Sequence, residues 1–307
     1  MAATINAMTN LTGLFIPLIT PFTADGEIAA GALERLAHRV LDDGAAGLVA
    51  LGTTAEHATL TEDERRLVLR TCAGVSRERG TVLVAGAGGN DTARSVTELA
   101  ALRSYPEISA ALTVVPYYSR PGEDGVIEHF RALAENSPVP LVIYNIPYRT
   151  GQQLSWAAIA RLAGLRGVAG IKHATGAVDR DTVLMMAGRP AGFRVLAGDD
   201  LYVSPLLALG ADGAIQASAH VRTADFARLV RLWQAGQAAA ARALGHQLAP
   251  LSGALFAAPN PCVIKAVLYR RGEIPSPAVR LPLVPASHAA AGAAEALADQ
   301  LDTAGAA

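Results

Sequence analysis

Lysine is almost missing from this chain of 307 residues. Of its 26 basic residues only Lys172 and Lys265 are lysine, and the others are arginine. Cysteine is just as scarce: Cys72 and Cys262 cannot build a disulfide framework or a cysteine-based zinc cluster, and a reducing compartment, the cytoplasm, fits them. No basic excess exists either, since 26 basic residues face 27 acidic ones for a formal net charge of −1. That balance excludes a field able to hold nucleic acid or an anionic membrane. Met1 to Asn10 lacks the positive start of a signal peptide, and the next apolar run, Leu14 to Ile19, falls far short of the roughly 20 residues that span a bilayer. The seven histidines form no H-x-H or H-x3-H pair, so no metal is expected. Charged residues are 17% and hydrophobic ones 51%, the balance of a chain with a large buried core.

What is present is a regular alternation. Short runs rich in Val, Leu, Ile and Ala recur at Leu14–Ile19, Gly47–Leu51, Val82–Gly86, Ala111–Val115, Leu141–Asn145, Val168–Lys172, Phe193–Gly198 and Gly213–Gln216. Amphipathic helical patterns lie between them. Leu33, Leu36, Ala37, Val40 and Leu41 form one apolar stripe that stops before Gly44. Thr61-Glu62-Asp63-Glu64 opens the next helix with a capping box, and Asp91-Thr92 opens the one after. Continuous rather than alternating apolar strands mean burial on both faces, hence a parallel sheet under helices. Eight such units predict an α/β fold, a (β/α)8 TIM barrel. The rival, a doubly wound open sheet, lacks a G-x-G-x-x-G after the first strand and a composition break. Residues 1–222 form the expected barrel, completed by a helix at 223–236. A C-terminal helical extension is expected over 237–307, and Ala286 to Ala307 reads as a last helix or a frayed tail.

In such a barrel chemistry belongs at the C-terminal ends of the strands. Lys172 closes the apolar run Val168-Ala169-Gly170-Ile171, where desolvation should lower its pKa and leave a nucleophilic amine. An arginine could not serve, because it stays protonated. Lys265 lies in a helical run, Cys262 to Arg271, and reads as an incidental survivor of a preference for arginine. Tyr144 ends the fifth strand and can shuttle protons near an amine, with the hydroxyls of Thr53 and Tyr118 to relay them. Backbone N–H groups of the Thr53-Thr54 turn offer a cradle for a carboxylate, and Arg149 can grip a second one bidentately. The loops after strands seven and eight carry an acidic pair, Asp199-Asp200, instead of a glycine-rich phosphate cradle, so the substrate is read as an unphosphorylated keto acid.

These residues, with Gly13, Thr20-Pro21-Phe22, Gly52-Thr53-Thr54-Ala55-Glu56, Pro116-Tyr117-Tyr118, Tyr144-Asn145-Ile146-Pro147, Ile171-Lys172 and Asn260-Pro261, resemble the dihydrodipicolinate synthase and N-acetylneuraminate lyase family of pyruvate-dependent class I aldolases. The resemblance runs over nearly the whole chain. It implies a barrel that works as a homotetramer, a dimer of dimers, in which Lys172 forms the pyruvate Schiff base and Tyr144 donates and accepts protons. Thr53 and Tyr118 would complete the relay, Tyr118 by entering a neighbouring subunit's site. Thr54 would hold the pyruvate carboxylate, and Gly198 and Ile215 would line the pocket. Arg149-Thr150-Gly151 is similar to the synthase branch, in which the arginine receives the carboxylate of aspartate semialdehyde. No cofactor is implied, because the lysine imine is itself the electron sink.

Three departures from the synthase pattern stand out: Ala55 for glycine, His57 for serine and His173 for glutamate. On a strand His173 should face away from Lys172. Arg94 stands where lysine-inhibited members carry an acid, which implies weak or absent inhibition by lysine. The implied activity is condensation of pyruvate with L-aspartate 4-semialdehyde, a lyase reaction of lysine and diaminopimelate biosynthesis. Its alternatives are a related pyruvate aldolase acting on a sugar acid or another aldehyde, and a non-catalytic keto-acid-binding barrel. The complete set Lys172, Tyr144, Thr53 and Tyr118 argues against the last.

Overall fold

A computed structural model describes residues 10–304. Met1 to Thr9, and the last three positions of the expected C-terminal helix or tail, lie outside the described residues. Eight parallel strands close on themselves in chain order: β1 (Gly13–Pro17), β2 (Gly47–Ala50), β3 (Val82–Gly86), β4 (Ile108–Val114), β5 (Leu141–Asn145), β6 (Val168–His173), β7 (Arg194–Ala197) and β8 (Gly213–Ile215). Helices α1 (Ala30–Asp42), α2 (Glu62–Arg79), α3 (Thr92–Ala101), α4 (Gly122–Asn136), the short α5 (Pro147–Thr150), α6 (Trp156–Ala163), α7 (Arg180–Gly188) and α8 (Val203–Ala208) fill the connections. After β8 the chain is helical: α9 (Thr223–Gln234), α10 (Ala238–Leu255), α11 (Cys262–Arg270) and α12 (His288–Ala304). The α/β barrel expected from the alternation is therefore the observed fold. None of these helices is long and apolar enough to cross a membrane.

Period-two alternation sorts every strand between two cores. Phe15, Val49, Val84, Val142, Leu196 and Ile215 fill the barrel interior. Their neighbours Ile16, Leu48, Leu83, Ile143, Val195 and Ala214 pack outward against the helices. Both faces are buried, which is why the sequence showed unbroken apolar runs. On β6 the outward residue Ile171 belongs to the outer core, so Lys172 turns inward and His173 outward.

Local chemistry sets the helix starts. Thr61 and Glu64 exchange side-chain and backbone hydrogen bonds in a complete capping box, and the Asp91 side chain accepts from the Arg94 N–H. Caps of this kind stabilise a helix by about 1 kcal/mol each. Strand ends differ from the sequence expectation by one to three residues. Leu51 was expected to end the second strand, yet its φ of +53° turns the chain out of the sheet one residue earlier. The fourth strand starts at Ile108 instead of Ala111, because a register shift between Leu83 and Val84 lengthens its pairing with β3.

Candidate active site

Tyr144, Lys172 and Leu196 stand in register across β5, β6 and β7. Lys172 is 6% exposed, Tyr144 is 7% exposed, and the lysine Nζ lies 4.2 Å from the centre of the tyrosine ring. Burial lowers the Lys172 pKa from 10.5 to about 8, with the carboxylates of Asp200 and Asp199 opposing the shift and Arg149 adding to it. Such a shift raises the neutral fraction at pH 7.5 from about one in a thousand to about a quarter. The amine expected from the sequence is therefore available for attack. Burial pushes Tyr144 the other way, above its ordinary value, while Arg149 and a side-chain hydrogen bond with Thr53 oppose the rise. Its phenol is held in the protonated form.

Gly198, just beyond β7, has a steric reason to be glycine. A Cβ there would stand 2.7 Å from Lys172 Cγ and 3.0 Å from its Cε, so the lysine stem runs through the space that a side chain would take. Thr53 and Thr54 lie in a short 3-10 turn, Thr53–Ala55, directly after β2. Thr54 is buried, and its Oγ1 accepts from Asn260 Nδ2 at 2.9 Å, which leaves the hydroxyl proton free to donate. A cavity of about 290 Å³ opens above Tyr144, with Thr53, His57, Tyr117, Ile146 and Arg149 in its wall. Ile215 is fully buried within the barrel interior.

Lys172, Tyr144, Thr53 and Gly198 are thus brought together, and Arg149 on α5 lines the cavity above Tyr144 together with Thr53. Tyr118 is not in that group: it is 92% exposed, in a left-handed conformation with φ +64°. Four described non-glycine residues have positive φ, and all sit in two loops at this end of the barrel. Leu51 and Glu56 flank the threonine turn, while Tyr118 and Arg120 follow β4. Such conformations cost on the order of 1–3 kcal/mol each and persist where the surroundings impose them.

A lysine amine and a tyrosine phenol paired at the mouth of a (β/α)8 barrel, beside a double-threonine turn, agree with the comparison of the whole chain. Residues 10–301 match the model of the dihydrodipicolinate synthetase family. The chain belongs to that family. It is 39% identical over 270 residues to the 4-hydroxy-tetrahydrodipicolinate synthase of Moorella thermoacetica, covering 88% of this chain and 91% of that protein. The crystal structure of a dihydrodipicolinate synthase from Thermotoga maritima superposes with a TM-score of 0.89 at 32% identity, over 95% of this chain and 98% of that one. A structure described as the first monomeric dihydrodipicolinate synthase variant superposes with a TM-score of 0.91 at 30% identity, over 97% of this chain and 99% of the other.

Within this member of the dihydrodipicolinate synthetase family the departures find places. His173 faces outward, with Nε2 2.9 Å from Thr182 Oγ1, and burial lowers its pKa to about 4. His57 lines the cavity wall, and burial followed by Arg65 lowers its pKa, with Glu98 opposing. Arg94 borders an adjoining cavity of about 330 Å³, where its Nε lies 3.0 Å from Glu98.

Sequence reasoning overlooked two features. Asp200 was read only as part of an acidic pair unsuited to phosphate. It is buried, accepts from the Ser218 N–H, and faces Lys172 closely enough to raise the lysine pKa, while burial raises its own to about 6. Its position just after the seventh strand was the available signal. Lys265, read as incidental, is fully buried in α11 with its Nζ 2.7 Å from Glu56 Oε1. It is buried because the seven residues Cys262 to Leu268 are all inside, and a charge so placed requires a partner.

Proposed function

We propose that this chain is a lyase that condenses pyruvate with L-aspartate 4-semialdehyde to give 4-hydroxy-tetrahydrodipicolinate, a step of lysine and diaminopimelate biosynthesis. The observation that carries the reading is the buried Lys172 amine, with a pKa lowered to about 8, against the protonated Tyr144 phenol. The neutral amine adds to the keto carbon of pyruvate. Tyr144 supplies the proton with which the carbinolamine oxygen leaves as water, and the lysine nitrogen becomes an iminium. Loss of a methyl proton gives the enamine, whose carbon attacks the aldehyde. The aldehyde oxygen takes up a proton. Hydrolysis or internal attack by the amino group then frees Lys172, with no cofactor consumed.

Thr54 and the N–H groups of Thr53 and Thr54 receive the pyruvate carboxylate, with Gly198 and Ile215 shaping the space around the imine. Arg149 receives the carboxylate of the aldehyde, as its place on the cavity wall supports. Tyr118 completes the proton relay from a neighbouring copy within a homotetramer, and its exposed phenol suits that role. The reaction belongs in the cytoplasm, in keeping with two free cysteines. A second reading, the same imine chemistry on another aldehyde such as a sugar acid, draws on His57 in the cavity wall.

Arg149→Ala separates these readings. With semialdehyde as acceptor, KM should rise or kcat should fall by about tenfold or more, while pyruvate binding to Lys172 persists. Unchanged semialdehyde kinetics would favour the second reading.

A further inference from the structure

Lys172 has a role in the chemistry above, and the chain's other lysine has none. Lys265 Nζ touches Glu56 Oε1 at 2.7 Å and lies 4.1 Å from the centre of the Phe22 ring, with no exposure to solvent. The other Glu56 oxygen accepts from the Arg280 N–H at 2.8 Å. Glu56 is itself the residue that closes the threonine turn, in a left-handed conformation with φ +55°. The turn is anchored at two further atoms. Thr20 Oγ1 donates to the Ala55 carbonyl at 2.7 Å, and Asn260 Nδ2 donates to Thr54 Oγ1 at 2.9 Å.

A buried ion pair is a poor way to gain stability alone, because desolvating both charges offsets much of their attraction and an apolar pair of equal volume often does as well. What an ion pair adds is direction. Glu56 meets Lys265 with one carboxylate oxygen and the Arg280 N–H with the other, and it does so from a left-handed backbone conformation at the end of the threonine turn. We infer that Lys265 is a positioning residue: through Glu56 it fixes the Thr53–Thr54 turn in the geometry that receives the keto-acid carboxylate. The C-terminal helical region is then part of the frame of the active site, reaching the turn through Asn260, just before α11, and through Lys265 on α11. This inference rests on the reading in which that turn binds pyruvate.

The test uses the full chain and a double variant, Glu56→Gln with Lys265→Met, which removes both charges together and keeps their approximate shapes. Glu56→Gln alone, which keeps an acceptor for Nζ but removes its counter-charge, is the companion that retains the hydrogen bond. Each is checked for native circular dichroism, and then for the pyruvate concentration that gives half-maximal borohydride trapping on Lys172. The folded double variant should still be trapped at saturating pyruvate, with the half-saturating concentration raised by about tenfold and kcat changed less, and the single variant should fall between. A folded variant of either kind whose half-saturating concentration stays within about twofold of the parent's would overturn the inference and leave the pair a purely structural one. Failure of the parent chain to trap pyruvate is a separate outcome, which overturns the pyruvate reading and this inference with it.

Discussion

Lys172 Nζ sits 4.2 Å from the centre of the Tyr144 ring, the two residues paired in register on adjacent strands of the barrel. One amine and one phenol are moved in opposite directions by the same cause. Burial lowers the lysine and raises the tyrosine, so both are predominantly neutral from about pH 8 upward, well below the pH at which an exposed lysine would lose its proton. A neutral nucleophile next to a proton donor is the pair that imine formation requires, and the rigid sheet sets their spacing before any substrate arrives.

The acid limb of the pH profile should report Lys172. Because the amine must be deprotonated to attack, kcat/KM for pyruvate should rise with pH and level off above about 8. The Asp200 carboxylate favours the charged lysine, so Asp200→Asn should move that limb to lower pH. A limb that stays in place in the variant would show that Asp200 does not act on Lys172.

Gly198→Ala should impair catalysis without unfolding the barrel. The new methyl would stand 2.7 Å from Lys172 Cγ and 3.1 Å from Ala174 Cβ, and the lysine stem is the more movable neighbour. A displacement of the amine by even part of an ångström should lower kcat by about tenfold to a hundredfold. Steady-state rates beside thermal melting check this, and a fully active variant would mean that Lys172 does not depend on the open space at Gly198.

Acid sensitivity should trace in part to Glu64. Its hydrogen bonds with Arg280 hold its pKa down at about 2, well under the unfolded value of about 4.3. The stabilisation is therefore complete above the unfolded value and is lost as pH falls from there toward 2. Arg280→Ala should lower stability at neutral pH and make the loss between pH 5 and pH 3 shallower than in the parent. Urea midpoints at these pH values measure the difference, and parallel losses in both proteins would contradict it.

How much of this was legible depended on distance along the chain. Each strand announced itself as a run such as Leu141 to Asn145, because burial on both faces leaves few polar residues, mostly at strand ends, to disguise it. Lys172, Tyr144, Thr53 and Arg149 could be placed at strand ends because the β/α alternation locates those ends. Strand limits were blurred where backbone geometry, not side-chain type, decides, as at Leu51 and in the shifted register between β3 and β4. The pairing of Lys265 with Glu56 had no local signature, since 209 residues separate them and nothing in Cys262 to Arg271 indicates a turn near β2. Lys265 looked incidental for that reason. Asp200 was visible but was weighed only against phosphate, and its effect on the amine at the end of the neighbouring strand appears once the barrel is closed.

The central claim is that Lys172 forms an imine with pyruvate. Its most direct test is incubation with pyruvate and borohydride followed by intact and peptide mass measurement, with Lys172→Arg as a control that keeps the charge but cannot form the imine. A pyruvate-derived adduct confined to the peptide that carries Lys172, absent from the control, is the predicted result. A folded protein that gains no mass, or gains it at Lys265 instead, would contradict the account.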